Sequence, residues 1–467
     1  MKKPSNILIL ISVVLTGCAH YQPQPLQPAQ TARQFDRRRL DDPGLKTFVA
    51  TNCPGRYASW PPAKWDLNSL TLAAFYFHPD LAVARAQWRV AAAGITTAAG
   101  RPNPVISGGP GYNFTTAAPT PWMPFGAVDL PIETAGKRGK RIAMAAAGAE
   151  AARWNFIAAA WQLRSGVRNT LIDYRAAQRR RQWLQKQVAA QRDIVRFLQG
   201  GLDAGEVSRP ELVAAQLALD KAQLESAAAA TKFSEAVSRL AEALGVPQTA
   251  LADMNLNQGV LTIPPHALQA AAARRAALIG RADIRAALAD YAASEENLRL
   301  EIAKQYPDVH FNPGYQYDQG NNKWTLGLAL ELPVLNQNQG PIAEAEANRK
   351  LAAARFLQLQ SRVAAQVDRA VAGWRDAQAQ LKTSQDIVAA AEKQVQSVTA
   401  QMQAGAASRA DLALTRIELV TAQLAQLDNQ AATQVALAAL EDALQQPADH
   451  FEMNALLSLP ARQTHSP

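Results

Sequence analysis

The chain has 467 residues, a formal net charge of +9, 48% hydrophobic and 19% charged residues, and two cysteines. Because single compact domains seldom exceed about 300 residues, this length indicates two or three domains or one elongated architecture. The composition excludes collagen and a disulfide scaffold. The sequence contains no run of about 18 consecutive apolar residues, which excludes a polytopic helical membrane protein.

The amino terminus has the layout of a secretory signal, with lysines at positions 2 and 3 ahead of an apolar run from 7 to 15. The run ends in Leu15-Thr16-Gly17-Cys18, which resembles the bacterial lipobox. That resemblance implies that residues 1–17 are a cleaved signal peptide and that Cys18 carries lipid, while Ala19 favours sorting to the outer membrane. The alternative is an ordinary buried cysteine behind a cleaved signal.

Residues 18–65 follow this signal and carry little periodic pattern. Positions 21–30 are rich in Pro and Gln, which is typical of an extended linker, so the segment is predicted to be a lipidated tether. With Cys18 lipidated, Cys53 has no other cysteine to pair with, and an intramolecular disulfide cannot form. Cys53 is then either an incidental residue or a free thiol.

The remainder of the chain repeats itself once. At an offset of 203 residues Pro110-Gly111-Tyr112 matches Pro313-Gly314-Tyr315, and at an offset of 200 Ala222-Gln223-Leu224 matches Ala422-Gln423-Leu424. The offset drifts by only about three residues over the whole half, so chance does not explain it. We expect a first copy at 66–250, a linker at 251–275, a second copy at 276–447 and a tail at 448–467.

Each copy contains a pair of short segments with a period of two. In the second copy, large apolar residues alternate with small or polar ones through Trp324, Leu326, Leu328, Leu330 and Leu332. This alternation predicts strands at 308–318 and 323–333, and at 104–116 and 122–132 in the first copy, where Phe125 falls on the wrong face. Their length and pattern are typical of membrane barrel strands of about 9–11 residues. A half-buried hairpin of a soluble protein is the alternative, and finding the pair twice behind a lipobox favours the barrel.

A long helical segment follows each strand pair. In the second copy one side of a heptad seam holds Val367, Trp374, Leu381, Val388, Val395 and Met402. The matching first-copy seam is interrupted by Arg181. A sustained seven-residue repeat indicates a left-handed coiled coil, and roughly 64 helical residues extend about 95 Å. The heptad alone does not exclude a soluble coiled coil.

Each long helix ends in the same short motif, predicted to be a tight turn into another helix. A glycine is placed to end one helix, and a serine three residues later is placed to cap the next. The first turn contains Gly205, Ser208 and Arg209, and the second contains Gly405, Ser408 and Arg409. Each copy is therefore helix, strand, strand, long helix, turn, helix.

This doubled order resembles the outer membrane factor (TolC-like) family over essentially the whole mature chain. The resemblance implies a mainly α fold with a small membrane β part, in which long coiled-coil helices form a periplasmic α-barrel. Four strands per chain then contribute to a twelve-stranded β-barrel in a homotrimer. It further implies a passive exit duct in the outer membrane of a Gram-negative bacterium, opened at its periplasmic tip by an adaptor protein and an inner-membrane pump of the resistance-nodulation-division type.

The family carries acidic residues around its closed periplasmic aperture. The aligned position here is Asp411, with Glu211 in the first copy, whereas a second family acid falls on Leu414. The resemblance therefore implies a three-fold ring of Asp411 carboxylates, and it makes the two tip turns the sites of adaptor docking. The alternative is that both acids are first-turn residues favoured by the helix dipole.

The transported substrate is less constrained. Segments 132–138 and 332–340 resemble the heavy-metal (CzcC-like) branch, which implies export of metal cations, with drugs or a secreted polypeptide as alternatives. The histidines and methionines form no chelating cluster, so no metal site or cofactor is predicted. The basic cluster Lys137–Arg141 fits lipid headgroups or a solvated charge run, and in the lumen it would oppose cations.

Other classes of protein fit less well. The sequence has no Gly-x-Ser-x-Gly elbow, His-Glu-x-x-His, phosphate loop or paired-cysteine metal motif, so an enzyme is not expected. The export signal argues against a nucleic-acid partner despite the positive charge. The runner-up is a lipid-anchored periplasmic coiled-coil adaptor or scaffold, for which barrel-length strands have no use.

Overall fold

The computed structural model describes residues 21–54, 57, 59–114, 120–252, 254–256 and 270–447. The expected signal peptide, Cys18 and the tail at 448–467 lie outside these residues. Up to the first tip the described elements are α1 (Pro28–Asp36), α2 (Pro43–Asn52), α3 (Leu67–Phe77), α4 (Pro79–Ala98), β1 (Val105–Gly109), β2 (Phe125–Ile132) and α5 (Lys137–Asp203). After it come α6 (Arg209–Leu244), a short 3-10 helix (Gln248–Leu251), α7 (Ala270–Gly280), α8 (Ala282–Ala303), β3 (Val309–Asp318), β4 (Asn321–Leu330), α9 (Gln339–Gln403) and α10 (Arg409–Leu444).

The two halves share one order of elements. The series α4-β1-β2-α5-α6 is followed by α8-β3-β4-α9-α10. The long helices α5 and α9 have 67 and 65 residues. This confirms the expected mainly helical fold with a small antiparallel sheet. None of the described helices combines the length and the apolar character needed to cross a membrane.

The heptad seams are the buried stripes of the long helices. On α9 the buried side chains include Val367 and Val388 from one side of the seam. They also include Ala377 and Ser384, which lie three residues after Trp374 and Leu381 and form its other side. In α5 the interrupting Arg181 is half-buried and stacks over Phe233 of α6, with its guanidinium carbon 4.3 Å from the ring centre. The stacking offsets the lost burial because an aromatic face attracts a cation.

The segment before the first copy departs from the expected extended tether. Residues 28–36 and 43–52 are helical, and Leu45 and Val49 of α2 are buried in the main hydrophobic core. Asp42 caps α2 by accepting hydrogen bonds from the amides of Gly44 (2.7 Å) and Leu45 (3.1 Å). The prediction of a tether over 18–65 is wrong for this part because an Asp-Pro helix start and two core-facing apolar residues outweigh the linker-like composition.

The connection between α1 and α2 is also docked. The Arg38 guanidinium donates to the carbonyl oxygens of Phe77 (3.1 Å) and Gly245 (2.6 Å), where α3 and α6 end. Helix ends present carbonyls without intrahelical partners, so a cation is stabilised there. Cys53 is half-buried against the same core.

The sheet has the antiparallel order β1-β2-β3-β4 and therefore joins the two halves. In the central pairing Leu130 of β2 lies opposite Phe311 of β3. The strand β1 stops at Gly109, but Gly111 and Met123 still exchange backbone hydrogen bonds (3.2 and 2.6 Å) beyond it, and an isolated bridge joins Tyr112 to Trp122. The ladder is incomplete there because Pro121 accepts from the Asn113 amide (2.8 Å) and has no amide hydrogen to donate in return. The expected end of this strand at 116 lies outside the described residues. The strand β4 is shifted to 321–330 because the hairpin turns at two residues, Gln319 and Gly320, which both have positive φ.

Candidate functional site

The two tip turns have nearly the same backbone. Gly205 (φ 77°) and Gly405 (φ 76°) lie in the left-handed region, which costs a glycine little and other residues more. The next amide in each turn closes back on the long helix, Glu206 on the Gly201 carbonyl and Ala406 on that of Gln401, both at 2.8 Å. The sequence therefore predicted both turns correctly.

The acids Asp411 and Glu211 act as caps of the helices that leave the turns. The Asp411 carboxylate accepts hydrogen bonds from the Ser408 amide (2.8 Å) and hydroxyl (2.7 Å), and Glu211 accepts one from the Ser208 amide (3.0 Å). The bond from the Ser408 amide, followed by that from its hydroxyl, holds the pKa of Asp411 below its ordinary value. The geometry is that of the first-turn helix acid, and Asp411 is exposed and ionised at neutral pH.

A groove of about 820 Å³ separates the two hairpin tips. It mixes apolar and charged side chains, and these are Asp193, Arg196, Phe197, Glu206, Val207, Met402, Arg409, Leu412 and Arg416. Of the predicted tip residues, Arg409 lines this groove, Gly205 and Gly405 make the turns, and Ser208 and Ser408 precede the next helices. Arg209 is the first residue of α6 and does not line the groove.

The two faces of the sheet differ in chemistry. Residues directly opposite each other in a ladder share a face, so the register sorts them. The apolar face carries Ile106, Leu130, Phe311, Tyr315, Trp324, Leu326 and Leu328, of which Trp324 is 80% and Leu326 75% exposed. The polar face carries Asp129, His310, Asn312, Gln316, Lys323 and Thr325. Phe125 lies opposite Gln316 and so falls on the polar face, as its parity predicts.

The basic cluster Lys137–Arg141 forms a clasp, which neither sequence interpretation anticipated. Arg138 donates to the Ala99 carbonyl (2.8 Å), and Arg141 donates to those of Ala98 (3.0 Å) and Gly100 (3.0 Å) at the carboxyl end of α4. Arg141 also forms a two-point ion pair with Glu133, at 2.6 and 3.2 Å.

The basic cluster also contacts the start of β3, through Lys137. Lys137 is buried and forms an ion pair with Asp308 (2.8 Å), which also accepts from the Thr134 amide (2.9 Å). Three of the five positions from 137 to 141 therefore bind partners within the chain, at the point where helices and strands meet.

A buried ionic cluster joins α5 of the first half to α10 of the second half. Arg164 and Arg168 of α5 are 0% and 2% exposed, and both form ion pairs with Glu441 of α10. Asp442 accepts from Trp161 (3.0 Å) and Ser165 (2.6 Å) and pairs with Arg168 (2.9 Å). In the sequence, two arginines one helical turn apart on an otherwise apolar stripe are a signal for buried acids.

Within the described ranges there is no group of three or more His, Cys, Asp or Glu side chains that could hold a metal ion. The described residues form a tip groove, a two-faced sheet and long hairpins. They position charges and surfaces along the molecule.

Comparison with known proteins agrees with this architecture. The family model described as outer membrane efflux protein matches residues 76–246 and 273–445. A search of curated sequences gave no significant match. Among solved structures, the outer membrane protein VceC from Vibrio cholerae is 20% identical with a TM-score of 0.68, covering 81% of this chain and 96% of its own.

Two further structures are similar. The outer-membrane channel OprN is 18% identical, with a TM-score of 0.68 and coverage of 92% of this chain and 99% of its own. CusC, described in terms of transmembrane channel formation, is 17% identical, with a TM-score of 0.67 and coverage of 91% and 99%. These likenesses establish the fold, and the family match covers both halves of the sequence. The chain belongs to the outer membrane efflux protein family.

Proposed function

We propose that this protein is one subunit of a homotrimeric exit duct in the outer membrane, anchored by lipid on Cys18. A periplasmic adaptor and an inner-membrane pump of the resistance-nodulation-division type open it at its tip. The observation that carries the proposal is the sheet, which has an exposed apolar face, a polar face and, within the described residues, no partner strand beyond β1 or β4.

The unpaired edges favour closure with other copies. A sheet in a bilayer must close, because no water is present to satisfy its edge amides and carbonyls. Four strands cannot enclose a channel, since even eight give a barrel that side chains fill. Pairing β4 of one copy with β1 of the next closes the sheet, and three copies of four strands match the barrel that the resemblance implies.

Extraction from outer membranes tests this assembly. We expect a detergent-dependent trimer at about three times the chain mass of 50.3 kDa. A Cys18→Ala variant exported through a signal that is not lipidated separates the alternatives. A duct without its lipid still needs detergent because of its apolar sheet face. A lipid-anchored adaptor or scaffold without its lipid becomes a soluble periplasmic protein, and that result would contradict the proposed duct.

The tip groove is the proposed docking site for the adaptor, together with the turns at Gly205–Arg209 and Gly405–Arg409. Its apolar floor, at Phe197 and Leu412, and its charged rim, at Arg196 and Arg416, suit a helical partner. Site-specific crosslinking from position 197 to the adaptor tests this site. Leu351 is an exposed control position, because it lies near the start of α9, at the end away from the tip turn. Crosslinks that form equally at both positions would contradict a tip site.

We also propose that Asp411 forms a cation-attracting ring in the closed trimer, with Glu211 beside it. The support is an exposed, ionised carboxylate held in a fixed direction by Ser408. Asp411→Asn keeps an acceptor for the cap and removes the charge. We expect lower cation selectivity in single-channel recordings for Asp411→Asn and a smaller change for Glu211→Gln. Unchanged selectivity would reduce Asp411 to a helix cap.

For the substrate we propose heavy-metal cations, on the resemblance of segments 132–138 and 332–340 to the metal branch. The clasp removes one objection, because Lys137 and Arg141 are paired with acids. Deleting the gene and measuring growth on zinc, cobalt, cadmium, copper and silver salts, beside drugs and bile salts, tests this assignment. Sensitivity restricted to drugs and bile salts would favour the alternative of drug efflux, and no phenotype would indicate a redundant duct or a secretion substrate.

A further inference from the structure

The polar face of the sheet holds an imidazole close to where the strands meet the helices. His310 is the second residue of β3 and lies opposite Pro131 of β2 and Ala329 of β4. Its ring nitrogen Nδ1 lies 3.0 and 3.1 Å from the two carboxylate oxygens of Asp129. The two side chains are 41% and 37% exposed, so the pair is open on one side.

The pairing determines which imidazole nitrogen is available. An ionised carboxylate only accepts hydrogen bonds, so Nδ1 of His310 must donate, and in the neutral ring the lone pair then lies on Nε2. No partner for Nε2 occurs in the part of the chain that the structure describes. A histidine that donates one nitrogen to a carboxylate and presents the other is the arrangement in which proteins orient imidazole for a metal ion.

The side chains around His310 determine which groups Nε2 can contact. Apart from Asp129, the neighbours of His310 within the sheet are uncharged, with Asn312 next along β3, Pro131 opposite on β2 and Ala329 opposite on β4. Asp308, just before the strand, is held by Lys137 and the Thr134 amide. The opposite face is the exposed apolar one. In the proposed barrel the polar face lines the lumen, so Nε2 of His310 is directed to the transported material.

We propose that His310 is a transit site for transition-metal cations of the Zn²⁺ type, bound through Nε2, with Asp129 as the positioning residue. This inference rests on the proposed duct and specifies a point of contact with its substrate class. Imidazole suits Zn²⁺, Cu²⁺ and Co²⁺ and is a poor ligand for Mg²⁺. One protein ligand per subunit, completed by water, binds weakly, which conduction requires because the ion must leave again.

Single-channel recording of the purified trimer in planar bilayers tests the site, with Zn²⁺ as the probe. We expect Zn²⁺ to reduce the conductance and Mg²⁺ at the same concentration to leave it unchanged. His310→Gln should raise the half-blocking Zn²⁺ concentration at least about tenfold, and Asp129→Asn should raise it by a smaller factor because the ring stays but loses its orientation. His78→Asn is the matched control, since His78 caps α4, away from the sheet, and asparagine keeps an acceptor there.

The outcomes are separable from those of the duct itself. Wild-type channels that conduct but are not blocked by Zn²⁺ would overturn the site and leave the duct intact. Equal block of wild type and His310→Gln would do the same. Absence of conductance from the wild-type trimer, both alone and with the adaptor and pump that open its tip, would overturn the duct and the site with it. If His310→Gln does not assemble, Asp129→Asn decides, and an unchanged half-blocking concentration in that variant overturns the proposal.

Discussion

The two repeats follow one backbone plan with different side-chain chemistry at the same place. In the first, the seam position Arg181 stacks over Phe233, with the guanidinium carbon 4.3 Å from the ring centre. In the second, the equivalent seam residue is Leu381, and the residue matching Phe233 is Thr433, whose hydroxyl donates to the Ala377 carbonyl at 3.2 Å. The comparison teaches that a cation over an aromatic ring can occupy a seam position where the other repeat has an apolar residue.

The repeats differ most where they meet. Glu441 of the second repeat is buried against Arg164 and Arg168 of the first, whereas the matching residue of the first repeat is the buried Ala241. The helix α10 therefore carries an acid that joins the halves, and the matching position of α6 carries none.

The largest expected effect comes from breaking that junction. Glu441→Ala makes the second repeat resemble the first and leaves two buried guanidinium groups without this acid, so we expect a loss of about 3–5 kcal/mol. The measurement is the free energy of unfolding, or the thermal midpoint, of the trimer in detergent. Glu418→Ala, an exposed acid on the same helix, is the control. Equal stability of the two variants would mean that the buried cluster does not hold the halves.

The tip glycines provide the next effect and test the likeness of the two turns. Gly405→Ala and Gly205→Ala place a side chain at φ near +76°, which costs about 1–2 kcal/mol each. Gly373→Ala is the matched control because Gly373 lies inside α9 with no atom within 4 Å of an added Cβ, so it should stabilise the helix by about 0.5–1 kcal/mol. Similar changes at 405 and 373 would contradict the left-handed turn.

The seam pair itself predicts a smaller coupling. A double-mutant cycle with Arg181→Ala and Phe233→Ala should give an interaction energy of about 1 kcal/mol, since the cation is partly desolvated over the ring. The parallel cycle with Leu381→Ala and Thr433→Ala in the second repeat should give less, because the Thr433 hydroxyl donates to a backbone carbonyl. Equal coupling in both repeats would mean that Arg181 and Phe233 interact no more strongly than Leu381 and Thr433.

The smallest effect is a local dependence on pH. Because the pKa of Asp411 is lower in the folded turn than its ordinary value of 3.8, its contribution is fully present above that value and is lost as the pH falls through the folded pKa. Hydrogen exchange of the tip amides, corrected for the intrinsic rate, should show the second turn loosening in acid. Asp411→Asn should remove most of that dependence, and an unchanged profile in this variant would assign it to another group.

Much of the architecture was predictable because it follows from local periodicity. The seven-residue spacing through Val367 and Val388 predicts the coiled-coil stripe, and the spacing of Gly405 and Ser408 predicts the turn, since both depend on residues within a few positions. The alternation around Trp324 and Leu326 likewise predicts which face of β4 is apolar. Strand ends were less accurate because Pro121 and the Gln319-Gly320 turn act through hydrogen bonding that alternation ignores.

The sequence by itself therefore determined the doubled order of elements, the seams, the tips and the two faces of the sheet. Only the tertiary structure decided that α2 docks on the core, that the basic cluster clasps the end of α4, that Arg168 meets Glu441 and that Asp129 holds His310. The physical reason is separation along the chain. Helical and strand periods arise from backbone geometry repeated every few residues, whereas partners from about forty to more than two hundred residues apart are brought together by packing.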